Sequence, residues 1–232
     1  MKENLTRRQW LNTGATILGG SILGSVAGVS PLKAATKSLP SAPIRMMFNE
    51  NPYGPSQVAR RAMRKAFGEA NLYSMRGAKA EFKALMAKLN GVTPDHIAVG
   101  FGSGEILKKA ALMNGIDKGE LVSPALTFET INRYAETMKS NVKRIPMTDD
   151  IGINLDRMAD AVNRRTKLVY LCNPNNPTGA LMDTDELKSF CKTMSKKATV
   201  FVDEAYHEYV MDPNYRSMID LVKAGHNLSL IH

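Results

Sequence analysis

Four short segments of this 232-residue chain carry side chains suited to one kind of chemistry. Residues 100–105 read Gly-Phe-Gly-Ser-Gly-Glu. Gly102 and Gly104 let a backbone approach a ligand closely, and a helix follows at once. Free N–H groups and the positive end of that helix favour a phosphate. A plain strand-to-helix turn would use the same glycines. The segment is not a dinucleotide fingerprint, because the third glycine of that pattern would fall at Glu105. Asp203 follows an apolar run directly, so its carboxylate is expected to be buried and to need a cationic partner. A protonated pyridine nitrogen would serve, and a ring held in that state is an electron sink for carbanion chemistry. Otherwise Asp203 caps the turn that follows. Asn176 lies in Asn-Pro-Thr-Gly, where Pro177 and Gly179 fix a turn. Its amide either donates to a fixed ligand oxygen or merely closes that turn. Phe128 offers a flat apolar face to a ligand or to the core.

These segments need elements to position them. Hydrophobic periodicity predicts helices at 57–67, 78–89, 105–113, 128–138, 155–162, 184–194 and 218–224. Strands are predicted at 96–99, 120–122, 141–147, 167–172, 199–203 and 228–231. Alternation at βαβ spacing implies an α/β fold with a doubly wound, mostly parallel sheet. Ligands in such sheets sit beyond the carboxyl ends of the strands. The four segments each follow a predicted strand, so they are expected at one rim.

In this order the motifs resemble those of fold-type I pyridoxal-phosphate aminotransferases, and within them the histidinol-phosphate aminotransferase group. The resemblance rests on Asn173-Pro174-Asn175-Asn176-Pro177-Thr178-Gly179 and Asp203-Glu204-Ala205-Tyr206, supported by residues 49–56 and by Asn71-Leu72-Tyr73. It covers about residues 45–232. It implies that Gly102, Ser103 and Gly104 hold the cofactor phosphate and that Phe128 stacks on the pyridine ring. Asn176 and Tyr206 would hydrogen-bond the phenolic oxygen, and Asp203 would pair with the ring nitrogen. Tyr73 would reach the phosphate in the neighbouring subunit of a homodimer. Asn51 and Tyr53 would line the substrate side. Gly104 stands where the family often has Asp, and Phe128 where it often has Tyr.

The resemblance also implies a Schiff-base lysine, and its register places that residue about four positions beyond His232. No catalytic residue is therefore assigned within the 232 residues. The C-terminal small domain and two later arginines of the family fall outside them as well. The expected activity is amino transfer from histidinol phosphate or a related amino acid or amino-alcohol phosphate to a 2-oxo acid. The alternative is a truncated, catalytically dead chain with residual cofactor binding. A sheet cut before its remaining strands is expected to leave an apolar edge that favours aggregation.

The remaining features bound the setting. Residues 1–35 place Thr6-Arg7-Arg8-Gln9-Trp10-Leu11 before a mildly apolar, glycine-diluted run, and this resembles a twin-arginine export signal. Periplasmic location through the export machinery is expected, with an uncleaved membrane anchor as the alternative. Residues 36–47 read as a linker and N-terminal arm, and 48–232 as a partial large domain. The net charge of +9 falls to +6 without residues 1–35, which hold Lys2, Glu3, Arg7, Arg8 and Lys33. The basic residues are spread along helices with no aromatic interleaving, so nucleic acid is not an expected partner. Two cysteines exclude a disulfide framework. Four histidines scattered along the sequence give no expected metal site.

Overall fold

A computed structural model describes residues 47–73, 77–115 and 118–232. The reading of residues 1–35, and most of 36–47, lies outside the described residues. The chain divides into two compact units between Ala70 and Asn71. The first holds helix α1 (Gln57–Ala66) and a 3-10 turn, Phe67–Glu69. The Ser56 hydroxyl accepts the Ala59 N–H at 3.2 Å and caps α1. Arg64 and Lys65 in its last turn suit the negative end of the helix.

The second unit opens with α2 (Ala78–Asn90), which ends at Gly91 in the left-handed conformation that only glycine adopts without strain. Then come α3 (Ser103–Gly115), β1 (Glu120–Pro124), α4 (Thr130–Thr137), β2 (Asn141–Ile145) and α5 (Leu155–Ala161). They are followed by β3 (Thr166–Cys172), α6 (Thr184–Met194), β4 (Thr199–Asp203), α7 (Ile219–Lys223) and β5 (Leu228–Ile231). All strand pairings are parallel, in the order β2-β1-β3-β4-β5.

Strand β3 is apolar almost throughout because both of its faces are covered. Leu168, Tyr170 and Cys172 pack with Leu107 and Ala111 of α3 and with Ile131 and Ala135 of α4. Val169 and Leu171 point the other way, against Met158 of α5, Leu187 and Met194 of α6, and Leu221 of α7. Each fully buried aliphatic or aromatic side chain contributes about 1.5–3 kcal/mol. The doubly wound α/β reading therefore holds, with every described strand parallel.

At the amino edge of the sheet, buried Glu120 gathers four donors. Lys143 Nζ lies at 2.7 Å, Arg165 Nη2 at 2.8 Å, Asn163 Nδ2 at 2.9 Å and Asn141 Nδ2 at 3.1 Å. These groups tie β1, β2 and the loop before β3 together.

The predicted strand at 96–99 does not form. Residues Pro94–His96 make a 3-10 turn, and Ile97 is extended (φ −100°, ψ 115°) but joins no ladder. An extended run becomes a strand only when a neighbour takes up its N–H and C=O groups, and none of the described strands lies beside it. The predicted helix at 128–138 begins at Thr130 instead, which leaves Phe128 in the preceding loop. Among the described residues, no helix is long and apolar enough to cross a membrane.

Candidate functional site

The strand order turns at one place. From β1 the chain moves outward to β2, then returns to lay β3 on the other side of β1. The loops leaving β1 and β3 therefore diverge at the carboxyl rim and open a crevice, the usual ligand position in such sheets. Phe128 is in the first loop and Asn176 in the second.

Buried and partly buried hydrogen bonds fix these loops. The Thr127 hydroxyl donates to Asn175 Oδ1 at 2.9 Å. Asn175 Nδ2 donates to the Leu126 carbonyl at 3.0 Å and to the Thr178 hydroxyl at 2.8 Å. Thr127 is drawn into this clamp, which accounts for the late start of α4. The Asn173 N–H donates to the Asp203 carbonyl at 2.9 Å, and Asn173 Oδ1 accepts the Met182 N–H at 3.0 Å. Asn176 Nδ2 donates to the Tyr206 hydroxyl at 3.3 Å. Loops after β1, β3 and β4 are thus joined in one network, and Phe128 packs half-buried against the Tyr170 side of the core.

Asp203 ends β4, opposite Cys172 in the register. It is 3% exposed. Tyr170 donates its hydroxyl to Asp203 Oδ2 at 3.1 Å, and the Ala205 N–H donates to Oδ1 at 3.2 Å. Among the described residues no lysine, arginine or histidine pairs with it. Burial pushes its carboxyl above the usual carboxylate range, the bonds from Ala205 and Tyr170 pull it partly back, and Glu204 adds to the upward push. Burial also pushes the neighbouring Cys172 thiol up to about 12, so it stays a neutral packing group.

Helix α3 is linked to the start of β1 by a short connection, so its first turn lies at the rim end of the sheet. Gly102 has φ +78°, and a side chain there or at Gly104 would meet no heavy atom within 4 Å. The backbone of this turn is open to a ligand. Glu105 Oε2 accepts the Phe101 N–H at 2.7 Å and steadies the loop, while Lys109 and the Phe101 bond hold its carboxyl below the usual range.

Tyr73 stands at the start of the second unit, 93% exposed. Asn51 and Tyr53 belong to the first unit. Asn51 Oδ1 accepts the Tyr53 N–H at 3.0 Å and its Nδ2 donates to the Gly54 carbonyl at 3.2 Å, a local turn that leaves the Tyr53 ring outward. The structure brings Asn176 and Tyr206 into direct contact and joins them to the Phe128 and Asp203 loops.

Sequence reasoning missed Thr127, Asn175, Asn173 and Tyr170. Polar residues flanking each motif were the available signal. It also missed a second cluster. His207 and His232, distant in sequence, stack with ring centroids 4.5 Å apart beside buried Glu204. Adjacent parallel strands bring their carboxyl ends together, which a linear scan for histidine spacing does not register.

A buried carboxylate without a cation, a flat aromatic face and an open glycine turn suit a ligand with a basic ring nitrogen and a phosphate. Known proteins agree. A histidinol-phosphate aminotransferase of Brevibacillus brevis is 34% identical over 191 residues, covering 81% of this chain and 51% of that protein. An aromatic amino acid aminotransferase of Mycolicibacterium vanbaalenii is 32% identical over 201 residues, covering 87% and 56%. The crystal structure of histidinol-phosphate aminotransferase from Sinorhizobium meliloti in complex with pyridoxal-5'-phosphate superposes with a TM-score of 0.66. It is 25% identical and covers 72% of this chain and 45% of that one. The chain spans about half the length of the curated relatives it matches. The profile of aminotransferase class I and II covers residues 42–232, and by that match the chain belongs to this family.

Proposed function

We propose that this chain is the cofactor-binding part of a pyridoxal-phosphate-dependent aminotransferase. The observation that carries the reading is Asp203, a carboxylate enclosed without a cation in a rim whose other groups suit the rest of that cofactor. Gly102, Ser103 and Gly104 would hold the phosphate, with N–H groups of the first helical turn as donors. Phe128 would cover one ring face. Asn176 and Tyr206, already paired, would meet the ring oxygen. Asp203 would keep a proton on the ring nitrogen, and Tyr170 would hold the carboxylate in place for it. The bound cofactor supplies the electron sink that stabilises negative charge at the substrate carbon. The protein's part is to bind, orient and keep that proton in position.

The donor in this reading is histidinol phosphate or a related amino acid or amino-alcohol phosphate, and the acceptor is a 2-oxo acid. The resemblance of the majority of the first relatives supports this donor class. Exposed Tyr73 is available to a second subunit, which supports a homodimer. Arg7-Arg8 ahead of a mildly apolar run supports export through the twin-arginine route.

Equilibrium dialysis of pyridoxal phosphate against the chain tests the binding. Saturable uptake that weakens at least about tenfold in Asn176→Ala is expected. Uptake equal in wild type and variant would refute the reading.

A further inference from the structure

Behind Asp203 lies a group of side chains that amino transfer does not use. Glu204 is fully enclosed, yet it carries a carboxylate. Its Oε1 accepts the Met218 N–H at 2.8 Å, and its Oε2 accepts the Ser217 hydroxyl at 2.5 Å and lies 2.8 Å from His232 Nε2. His207 stacks on His232, their planes 19° apart. The histidine side chains are 24% and 15% exposed, so solvent reaches the group. One ligand atom from each of Glu204, His207 and His232 lies within 4.8 Å of the others.

We propose that Glu204, His207 and His232 form a zinc site. Two imidazoles and one carboxylate are a donor set that zinc accepts in three-ligand sites with a fourth position for water. The carboxylate is already oriented by Ser217 and the Met218 N–H, the kind of outer support that fixes a metal ligand. A second observation points the same way. Among the described residues, the Tyr215 hydroxyl is enclosed without a hydrogen-bond partner. Burial and then the charges of Glu204 and Glu208 push that phenol above its ordinary range. A cation held by Glu204 would offset the charge that this carboxylate sets against the phenol.

The exchange balances without oxidation or reduction. Zinc takes a lone pair from each imidazole and from the carboxylate. His232 Nε2 gives up its hydrogen bond to Glu204, the two rings turn out of their stack so that both lone pairs point at the metal, and any proton on either ring leaves to solvent. Glu208 Oε1, 3.0 Å from His207 Nε2, is the neighbouring charge that steadies the His207 ring. The site does not depend on the cofactor reading. It adjoins that rim through Tyr206–His207 and Asp203–Glu204 and would stiffen the turn between them.

The test is zinc calorimetry and Co2+ absorption on the tag-free 232-residue chain. One equivalent is expected, with the intense visible bands of tetrahedral cobalt. His207→Asn should weaken binding at least about tenfold, and His207→Cys, which keeps a ligand, should restore it. The His207 side chain is the most exposed of the three, so its variants test the site without emptying the core. No binding, or binding that His207→Asn leaves unchanged, would overturn the proposal.

Discussion

The Tyr170 hydroxyl donates to Asp203 Oδ2 at 3.1 Å across two adjacent parallel strands. Asp203 is opposed to ionising by its surroundings, yet the proposed chemistry needs it charged. Its folded pKa lies above the ordinary value. The stability linked to this group is therefore full at low pH and is lost as pH rises through the folded pKa. Asp203→Asn should leave the cofactor-free chain as stable at neutral pH, or more so, by thermal melting. In the holoenzyme the same change should cut amino transfer about a hundredfold or more while cofactor uptake falls far less. Retained activity would remove the electron-sink role from Asp203.

The Thr127–Asn175 clamp should be visible in urea unfolding. Asn175→Ala removes one buried and two partly buried hydrogen bonds and should cost about 2–4 kcal/mol, whereas Thr127→Val, which removes the buried one, should cost about 1 kcal/mol. The double variant should cost less than the sum, because both changes break the same contact. Full additivity would show that the two residues act separately.

Glu120 governs acid stability at the opposite edge of the sheet. Lys143, with help from Asn163 and Asn141, brings its carboxyl from 4.5 down to about 2 despite the opposing effect of burial. A depressed carboxylate stabilises above its unfolded pKa, and the gain is lost as pH falls between about 4.5 and 2. Glu120→Gln should cost roughly 2 kcal/mol at pH 7 and nothing further as acid is added. Unfolding midpoints measured across that pH window decide it.

The export proposal has its own readout. A reporter fused to residues 1–40 should leave the cytoplasm, and Arg7→Lys with Arg8→Lys should retain it. Export unaffected by the paired change would set the proposal aside.

Much of the architecture was legible because strands buried on both faces leave a strong signal. Residues 167–172 and 199–203 read as apolar runs, and both became strands. Residues 96–99 read equally well and did not, because pairing depends on a neighbour that local pattern does not specify. The motif residues Asn176, Asp203 and Tyr206 were singled out by type, order and resemblance, and the structure puts Asn176 and Tyr206 in contact. Tyr170 was hidden inside an apolar run, where its hydroxyl looked incidental until Asp203 came alongside. The Glu204–His207–His232 group was invisible for a related reason: its members meet only after β5 docks beside β4.

Asp203 and Glu204 are neighbours in sequence, yet they serve opposite sides of one sheet. The first turns toward Tyr170, the second toward Met218. Alternation along an extended backbone is what separates them. Deleting a single residue from β4 would move Glu204 into the Asp203 position beside Tyr170 and draw Asp203 back to the place of Val202, inside the apolar core on the other face. A length change of one is therefore more damaging here than most substitutions, and natural variants of this strand should differ in letters but never in count.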